Sequence, residues 1–179
     1  MSTNCANREV YTVKVDSVGV ATPYSTFKVY LPIPLKNVVK AELLMASIHQ
    51  QFSNAICHVY VEELVSNFLT RAASAYLVGL DGTTSNVGVS TQVLNKGLIE
   101  RAFVTIPTSN IAQGTVDNRV LWTSGNDFPT DVEYINPIRQ LKTLTITFYD
   151  GATGDLQTMD QTSYFVFRFE CAKDNVCLY

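Results

Sequence analysis

The histidines and cysteines are the residues of this 179-residue chain best suited to metal binding or nucleophilic chemistry. His49 and His58 have no acidic residue at ligand spacing, which argues against a metal site. The cysteines contain no Cys-x-x-Cys pair, so neither a zinc site nor a thioredoxin-like motif is expected. Reduced thiols are the simplest expectation, with a disulfide between Cys171 and Cys177 left open. The four cysteines are Cys5, Cys57, Cys171 and Cys177.

A nucleophile and its base are equally hard to assemble from this sequence. Cys57 and His58 are adjacent, and neighbouring residues on a strand point to opposite faces, so they cannot act together. Pairing of His49 with Cys57 across a hairpin stays open. The chain has no Gly-x-Ser-x-Gly elbow, and the segment 82–88 lacks the lysine of a phosphate-binding loop. We therefore expect a protein that is not an enzyme and has no cofactor.

The carboxylates offer little more. Glu62 and Glu63 are adjacent and diverge if they lie on a strand. Asp127, Asp131 and Glu133 fall in a segment that contains a proline, where Asp127 and Asp131 could begin a calcium site. A solvated loop is the interpretation that we favour.

The composition indicates a globular chain with an unusually neutral surface. Hydrophobic residues make up 46% and charged residues 16%, against roughly 25% charged in an average domain. The net charge is −3 and is spread evenly, so no basic surface for nucleic acid is expected. No window of about 20 apolar residues predicts a membrane span. The N-terminus lacks a secretory pattern, and no Asn-x-Ser/Thr sequon occurs, which favours an intracellular protein.

Alternation of apolar and polar residues is the main structural signal. The clearest strands are 143–148 and 164–169, whose apolar residues should face one core. Pro32 and Pro34 should end the strand 27–31 or confine it to an edge. A helix is possible for 38–48, but a strand is favoured, and a short helical turn is expected within 63–73. The further predicted strands are 11–16, 58–64, 75–80, 102–106 and 119–123.

Eight or nine short strands with turn signals predict an all-β domain. A single eight-stranded antiparallel jelly roll, a two-sheet sandwich, suits their unequal spacing, with an immunoglobulin sandwich as the alternative. The jelly roll should span residues 1–179 as one domain, with its core at about 10–171 and short extensions at both termini.

Several aromatic residues fall near strand ends or on predicted outer faces, where an exposed cluster would mark an interface. The N-terminal segment 1–8 and the C-terminal tail 173–179 lie outside the alternating core, and we expect them to reach towards neighbouring subunits or the particle interior. The interface candidates are Tyr24, Tyr30, Phe128, Tyr134, Leu178 and Tyr179.

Three segments in order resemble the single jelly-roll penton and minor capsid proteins of large and giant double-stranded DNA viruses. The first is the strand 27–31 followed by 35–48, with Asn37-Val38 and Glu42-Leu43 at signature positions. The second is 101–107, with Ala102-Phe103 and Ile106-Pro107. The third is 134–146, which carries Asn136-Pro137 and runs into the Asp/Gly turn 150–154. At 47–52 the chain departs from the Ile-Pro and Asn-rich turn of that family.

This resemblance implies a structural role in a virion. Five copies would form a homopentamer that closes each five-fold vertex of an icosahedral capsid, assembled inside the host cell. Its neighbours would be the double jelly-roll major capsid protein and other minor capsid proteins. Another minor capsid protein of the same shell is one alternative. A carbohydrate-binding jelly-roll module is the other, in which Trp122 and exposed tyrosines would stack on sugars and Asp127 with Asp131 would hold calcium.

Overall fold

The computed structural model describes residues 8–20, 25–49, 56–64, 102–107, 119–125, 130–150, 155–157, 159 and 161–173. They form seven β-strands and one 3₁₀ helix, Glu62–Leu64, so the all-β prediction is confirmed. Within these residues, no helix has the length and apolar character that crossing a membrane requires. The strands are β1 (Arg8–Asp16), β2 (Thr26–His49), β3 (Ile56–Val61), β4 (Val104–Pro107), β5 (Arg119–Thr123), β6 (Thr130–Asp150) and β7 (Tyr164–Ala172).

The described strands belong to a single antiparallel sheet in the order β1-β7-β2-β6-β3-β4, and β5 pairs with β2 off this path. The 24-residue β2 and the 21-residue β6 lie at its centre. The first part of β2 pairs with the last part of β6, whereas its second part pairs with β7 and with the first part of β6. Each of these two long strands therefore takes part in two regions of the sheet, one containing β3 and β4 and the other containing β1 and β7.

The strands follow the alternation in the sequence. Leu144, Ile146 and Phe148 of β6 are fully buried, and so are Phe165, Phe167 and Phe169 of β7. Both sets belong to the same core cluster, as predicted. The polar residues that alternate with them face outward, because successive side chains of a strand point to opposite faces.

Ring contacts show that β2 bends back on itself. Ala46 on β2 pairs with Phe165, yet the ring centroid of Phe165 lies 6.4 Å from that of Phe27, which precedes Ala46 by nineteen positions on the same strand. A straight strand of that length would span about 63 Å. The sheet is therefore curled, and the inner face of one region packs against the inner face of the other.

The prolines expected to end the first strand lie inside β2. Pro32 and Pro34 fall where the register with β6 shifts between Tyr30 and Leu35. The regular hydrogen-bond ladder is interrupted there, so the strand tolerates residues that have no backbone N–H. The expectation that the strand ends there is wrong. Asn37 follows with a φ of 51°, a left-handed conformation that asparagine tolerates better than most residues.

Other predicted elements have mixed outcomes. The segment 38–48 is a strand, and β5 has the predicted bounds. The strand expected over 58–64 ends at Val61 and is followed by the 3₁₀ helix. The strand at 75–80 and most of the helical turn within 63–73 lie outside the described residues. The described residues form seven strands in one curled sheet. The eight-stranded, two-sheet jelly roll therefore remains a prediction.

Candidate interaction surfaces

The outer face of the β2-β6-β3-β4 region carries mainly uncharged polar residues. Directly opposed residues on antiparallel strands share a face. The register forms the rows Thr26-Thr147-Tyr60, Lys28-Thr145, Tyr30-Thr143 and Tyr149-His58-Thr105. Lys28 is the one lysine, arginine or carboxylate side chain in these rows. We call these ten residues the Thr/Tyr face.

Neighbours on the Thr/Tyr face contact one another. The hydroxyl of Thr26 donates a hydrogen bond of 3.1 Å to that of Thr147. The rings of Tyr60 and Tyr149 meet edge to face with centroids 6.0 Å apart. Many of its polar groups thus already have partners, which lowers the cost of covering the face with another protein surface.

His58 is a buried member of this face and hydrogen-bonds through Nδ1 to the Thr105 hydroxyl at 2.9 Å. Burial lowers its pKa, and the negative charge of Asp150 opposes that effect only in part. The lowered pKa favours the neutral imidazole, which suits a structural role.

A glutamate clamps the 3₁₀ helix onto the same face. The carboxylate of Glu63 accepts hydrogen bonds from the hydroxyls of Thr143 and Thr145, both at 2.9 Å, and from the backbone N–H of Thr145 at 2.7 Å. The sequence predicted only that Glu62 and Glu63 diverge, because the strand was expected to continue through them. The alternating threonines were the available signal for this contact.

The outer face of the β1-β7-β2 region is charged instead. Lys40 lies 2.7 Å from Asp131, Arg8 lies 2.8 Å from Glu170, and Arg168 lies 3.6 Å from Glu42 and 3.9 Å from Glu170. The register places Glu42 opposite Arg168 and Lys40 opposite Glu170, so charges of opposite sign alternate across strands. We call these six residues the ion-pair face. Sequence reasoning missed it because the shifted registers that align it cannot be derived from alternation.

The interface candidates separate sharply. Tyr30 lies on the Thr/Tyr face and is 74% exposed. Tyr134 was an interface candidate, but it is buried and its hydroxyl donates a 3.0 Å hydrogen bond to the carbonyl of Leu64. The expectation of an exposed Tyr134 is wrong, because the Leu64 carbonyl at the end of the 3₁₀ helix provides a buried partner for its hydroxyl. The other candidates lie outside the described residues: Tyr24, Phe128, Leu178 and Tyr179.

The potential nucleophiles lie in unfavourable surroundings. Cys57 and Cys171 are buried free thiols. Burial raises the pKa of both, and Asp150 and Glu9 respectively raise it further, so the thiolate is disfavoured. Cys57 pairs with Ile106 and Asp150, whereas His49 pairs with Arg119 on β5. Across the described ranges, no three His, Cys, Asp or Glu side chains are grouped to hold a metal ion.

Trp122 and Asp131 are the described residues of the set proposed for sugar stacking and calcium, and both have another role in the fold. Trp122 is 2% exposed and belongs to the core, so its ring is not available to a sugar. Asp131 forms its ion pair with Lys40, and Asp127 lies outside the described residues. The carbohydrate-binding alternative required an exposed Trp122, whereas β5 turns this side chain inward, beside Ala46 on β2.

A cleft of about 310 Å³ lies where β1 and β7 meet the bend of β2, and Lys36, Asn37 and Cys171 are among its lining residues. The Glu9 carboxylate in its wall accepts a 2.6 Å hydrogen bond from Tyr11 and lies 3.3 Å from the Lys173 ammonium. Both interactions, the hydrogen bond more strongly, lower the pKa of Glu9. These polar groups pair with one another, as is typical of a structural contact.

Comparisons with known proteins include a distant similarity to a solved structure. No protein-family model and no curated protein matches the chain. Among solved structures, a chain of the tomato aspermy virus crystal structure is 13% identical, and the alignment covers 100% of this chain and 86% of that chain with a TM-score of 0.34. A TM-score of this size does not establish a common fold.

Proposed function

We propose that this chain is a structural protein of an icosahedral virus capsid, and that five copies form the penton at each five-fold vertex. The single observation that carries the proposal is the contrast between the Thr/Tyr face and the ion-pair face of one curled sheet. It supports the role that the sequence resemblance implies, with the double jelly-roll major capsid protein and other minor capsid proteins as neighbours.

A ring of identical subunits needs two different surfaces on each copy. Head-to-tail contacts are heterologous, so one face of a subunit meets another face of the next, and the ring closes when the rotation fits. The Thr/Tyr face can be desolvated at low cost because its groups are mostly neutral. The charges of the ion-pair face neutralise one another within the subunit, which lowers the cost of covering them.

Exposed apolar side chains also favour a protein that is covered in its working state. Tyr30 is 74% exposed, Ile33 70%, Leu121 64% and Ile135 76%. Aromatic side chains are enriched at protein interfaces, and Tyr30 is the member of this set that lies on the Thr/Tyr face. The virion is therefore the location that we propose, with assembly inside the host cell.

A non-enzymatic role is part of the proposal. The pKa values of the two described thiols are raised, whereas a nucleophilic cysteine needs a lowered pKa. The carbohydrate-binding alternative has lost its main support with the burial of Trp122. Another minor capsid protein of the same shell remains the alternative, because the two faces suit any heterologous contact.

The test is the mass and symmetry of the purified protein. Light scattering should give about five times 19.8 kDa, and electron micrographs should show rings with five-fold symmetry. In a reconstruction of the virus particle, the chain should occupy the five-fold positions. A protein that stays monomeric at high concentration and binds glycans would contradict the proposal, and a location away from the vertices would favour the other minor capsid role.

A further inference from the structure

β1 is an outer strand of the sheet. It pairs with β7 along all nine residues without a register shift, and no other described strand pairs with it. Seven of its nine residues are exposed, including Val10 at 54% and Tyr11 at 37%. Within the described part of the chain, its outer edge therefore presents a row of backbone groups to which another strand could add.

Natural edge strands are usually protected by short length, proline or bulges. The other end of the sheet, as described, follows this rule, since β4 has four residues and ends at Pro107. β1 is more than twice as long, contains neither proline nor glycine, and has no bulge. Charged side chains are the one protective feature that β1 has. Their order along the strand determines which pairings bring like charges together.

Those charges favour antiparallel pairing of β1 with a second copy of itself. If Thr12 lies opposite Thr12 of the second copy, Arg8 lies opposite Asp16 at both ends. A shift by two residues in one direction places Arg8 opposite Lys14, where like charges repel. The same shift in the other direction removes the charge pairs, and parallel pairing in register opposes each charge to itself.

The same register covers apolar surface on both faces of the strand. On the inner face, the exposed Tyr11 would oppose the half-buried Val13 of the second copy. On the outer face, Val10 would lie beside the aliphatic stem of Lys14, as long charged side chains commonly allow. The two-fold axis is then perpendicular to the sheet, so the outer faces of both copies are continuous.

We propose that two copies of this chain pair antiparallel through their β1 strands, with Thr12 on the two-fold axis. The contact uses the edge of β1, whereas the ring contact uses outer faces. Arg8 belongs to both, because it also pairs with Glu170 on the ion-pair face, whereas Thr12 belongs to the edge contact alone.

A disulfide tests this register directly. Opposed residues of an antiparallel pair have Cα atoms about 4.5 to 5.5 Å apart, within reach of a disulfide. Under mild oxidation, Thr12→Cys should yield a covalent dimer in which mass spectrometry finds the two introduced cysteines joined. Lys14→Cys is the matched control: in this register the two introduced cysteines lie four residues out of step, about 13 Å apart along the strands, and should not join.

Charge exchange tests the pairing without a covalent bond. Asp16→Arg should weaken the dimer roughly tenfold or more in sedimentation equilibrium, since two attractive pairs become repulsive. Asp16→Asn should weaken it less, and it keeps the oxygen that accepts the Val18 N–H. The double variant Arg8→Asp with Asp16→Arg should restore dimerisation, and thermal unfolding checks that each variant folds.

The pairing is overturned if Thr12→Cys crosslinks no better than Lys14→Cys, or if the double variant associates as weakly as Asp16→Arg. Five-membered rings without the Thr12→Cys crosslink would remove the edge pairing and leave the penton proposal standing. Crosslinked dimers without rings would support the edge pairing and contradict the penton proposal.

Discussion

The ring of Phe27 lies 6.4 Å from the ring of Phe165, although Phe165 pairs through its backbone with Ala46. One strand, β2, thus contributes to both walls of the core. Phe148 on β6 completes the contact, at 6.2 Å from Phe27 and 6.0 Å from Phe165. The curl that brings these rings together also turns the Thr/Tyr face and the ion-pair face away from each other.

Charges introduced into the core should prevent folding. Ile146→Asp or Phe167→Asp would bury an unpaired carboxylate at a fully buried position, and Phe167→Ala should cost about 3 to 5 kcal/mol through cavity formation. Tyr30→Asp, at a 74% exposed position, is the control and should change stability little. Thermal unfolding by circular dichroism measures all four, and normal stability of either core aspartate would contradict the assigned strand faces.

The Glu63 clamp should contribute measurably to stability. Glu63→Gln replaces one carboxylate oxygen by an amide that cannot accept a hydrogen bond, so one of the three donors on Thr143 and Thr145 loses its partner. We expect a loss of about 1 to 3 kcal/mol in urea unfolding. Glu62→Gln, at the exposed neighbouring position, is the matched control. Equal losses in both variants would show that the clamp is energetically unimportant.

His58 should make stability depend on pH. Burial lowers its folded-state pKa below the ordinary value of 6.5, so below that pH the unfolded chain binds more protons than the folded one. The contribution of His58 is therefore present above about pH 6.5 and is lost as the pH falls towards the folded-state pKa, by at most about 1.4 kcal/mol per pH unit.

His58→Gln isolates this effect from the carboxylates, which also titrate in acid. The difference in unfolding free energy between the natural protein and the variant should shift in favour of the variant between about pH 7.5 and about pH 5.5. A difference that does not change with pH would mean that the imidazole keeps its ordinary pKa.

Asn37 has a left-handed backbone conformation within β2, with a φ of 51°. Asn37→Val should destabilise the protein by roughly 1 to 2 kcal/mol, because a β-branched residue fits the left-handed region poorly. Asn37→Gly keeps that conformation accessible and serves as the control. Chemical unfolding that ranks the two variants equally would show that the left-handed conformation is unimportant for stability.

Ring formation should depend on the Thr/Tyr face. Tyr30→Glu places a charge at its most exposed aromatic residue and should prevent five-membered rings, while the monomer remains folded. Val18→Glu, at a 70% exposed position in the turn after β1, should leave the rings intact. Light scattering distinguishes the outcomes, and rings that persist in Tyr30→Glu would place the contact on another surface.

Local pattern was sufficient for much of the fold. The threonines of 143–147 and the phenylalanines of 165–169 occupy every second position. A β-strand is the regular structure in which every second side chain points to the same face. Strand was also the correct choice for 38–48. Pro32 and Pro34 misled the strand boundary, because their effect depends on whether the neighbouring strand needs their N–H groups, and the register shift between Tyr30 and Leu35 removes that need.

The surfaces were harder to predict, since burial depends on partners distant in sequence. The hydroxyl of Tyr134 can be buried because the Leu64 carbonyl, seventy positions earlier, accepts its hydrogen bond. Trp122 is buried because β5 lies against β2. The ion pairs of Arg168 and Lys40 need registers set by bulges. The sequence by itself determined the all-β class, the core-facing residues of the clearest strands and the low charge. The tertiary structure alone decided how β2 folds back and which outer residues meet, because side-chain periodicity specifies a face but not the register or curvature that selects its neighbours.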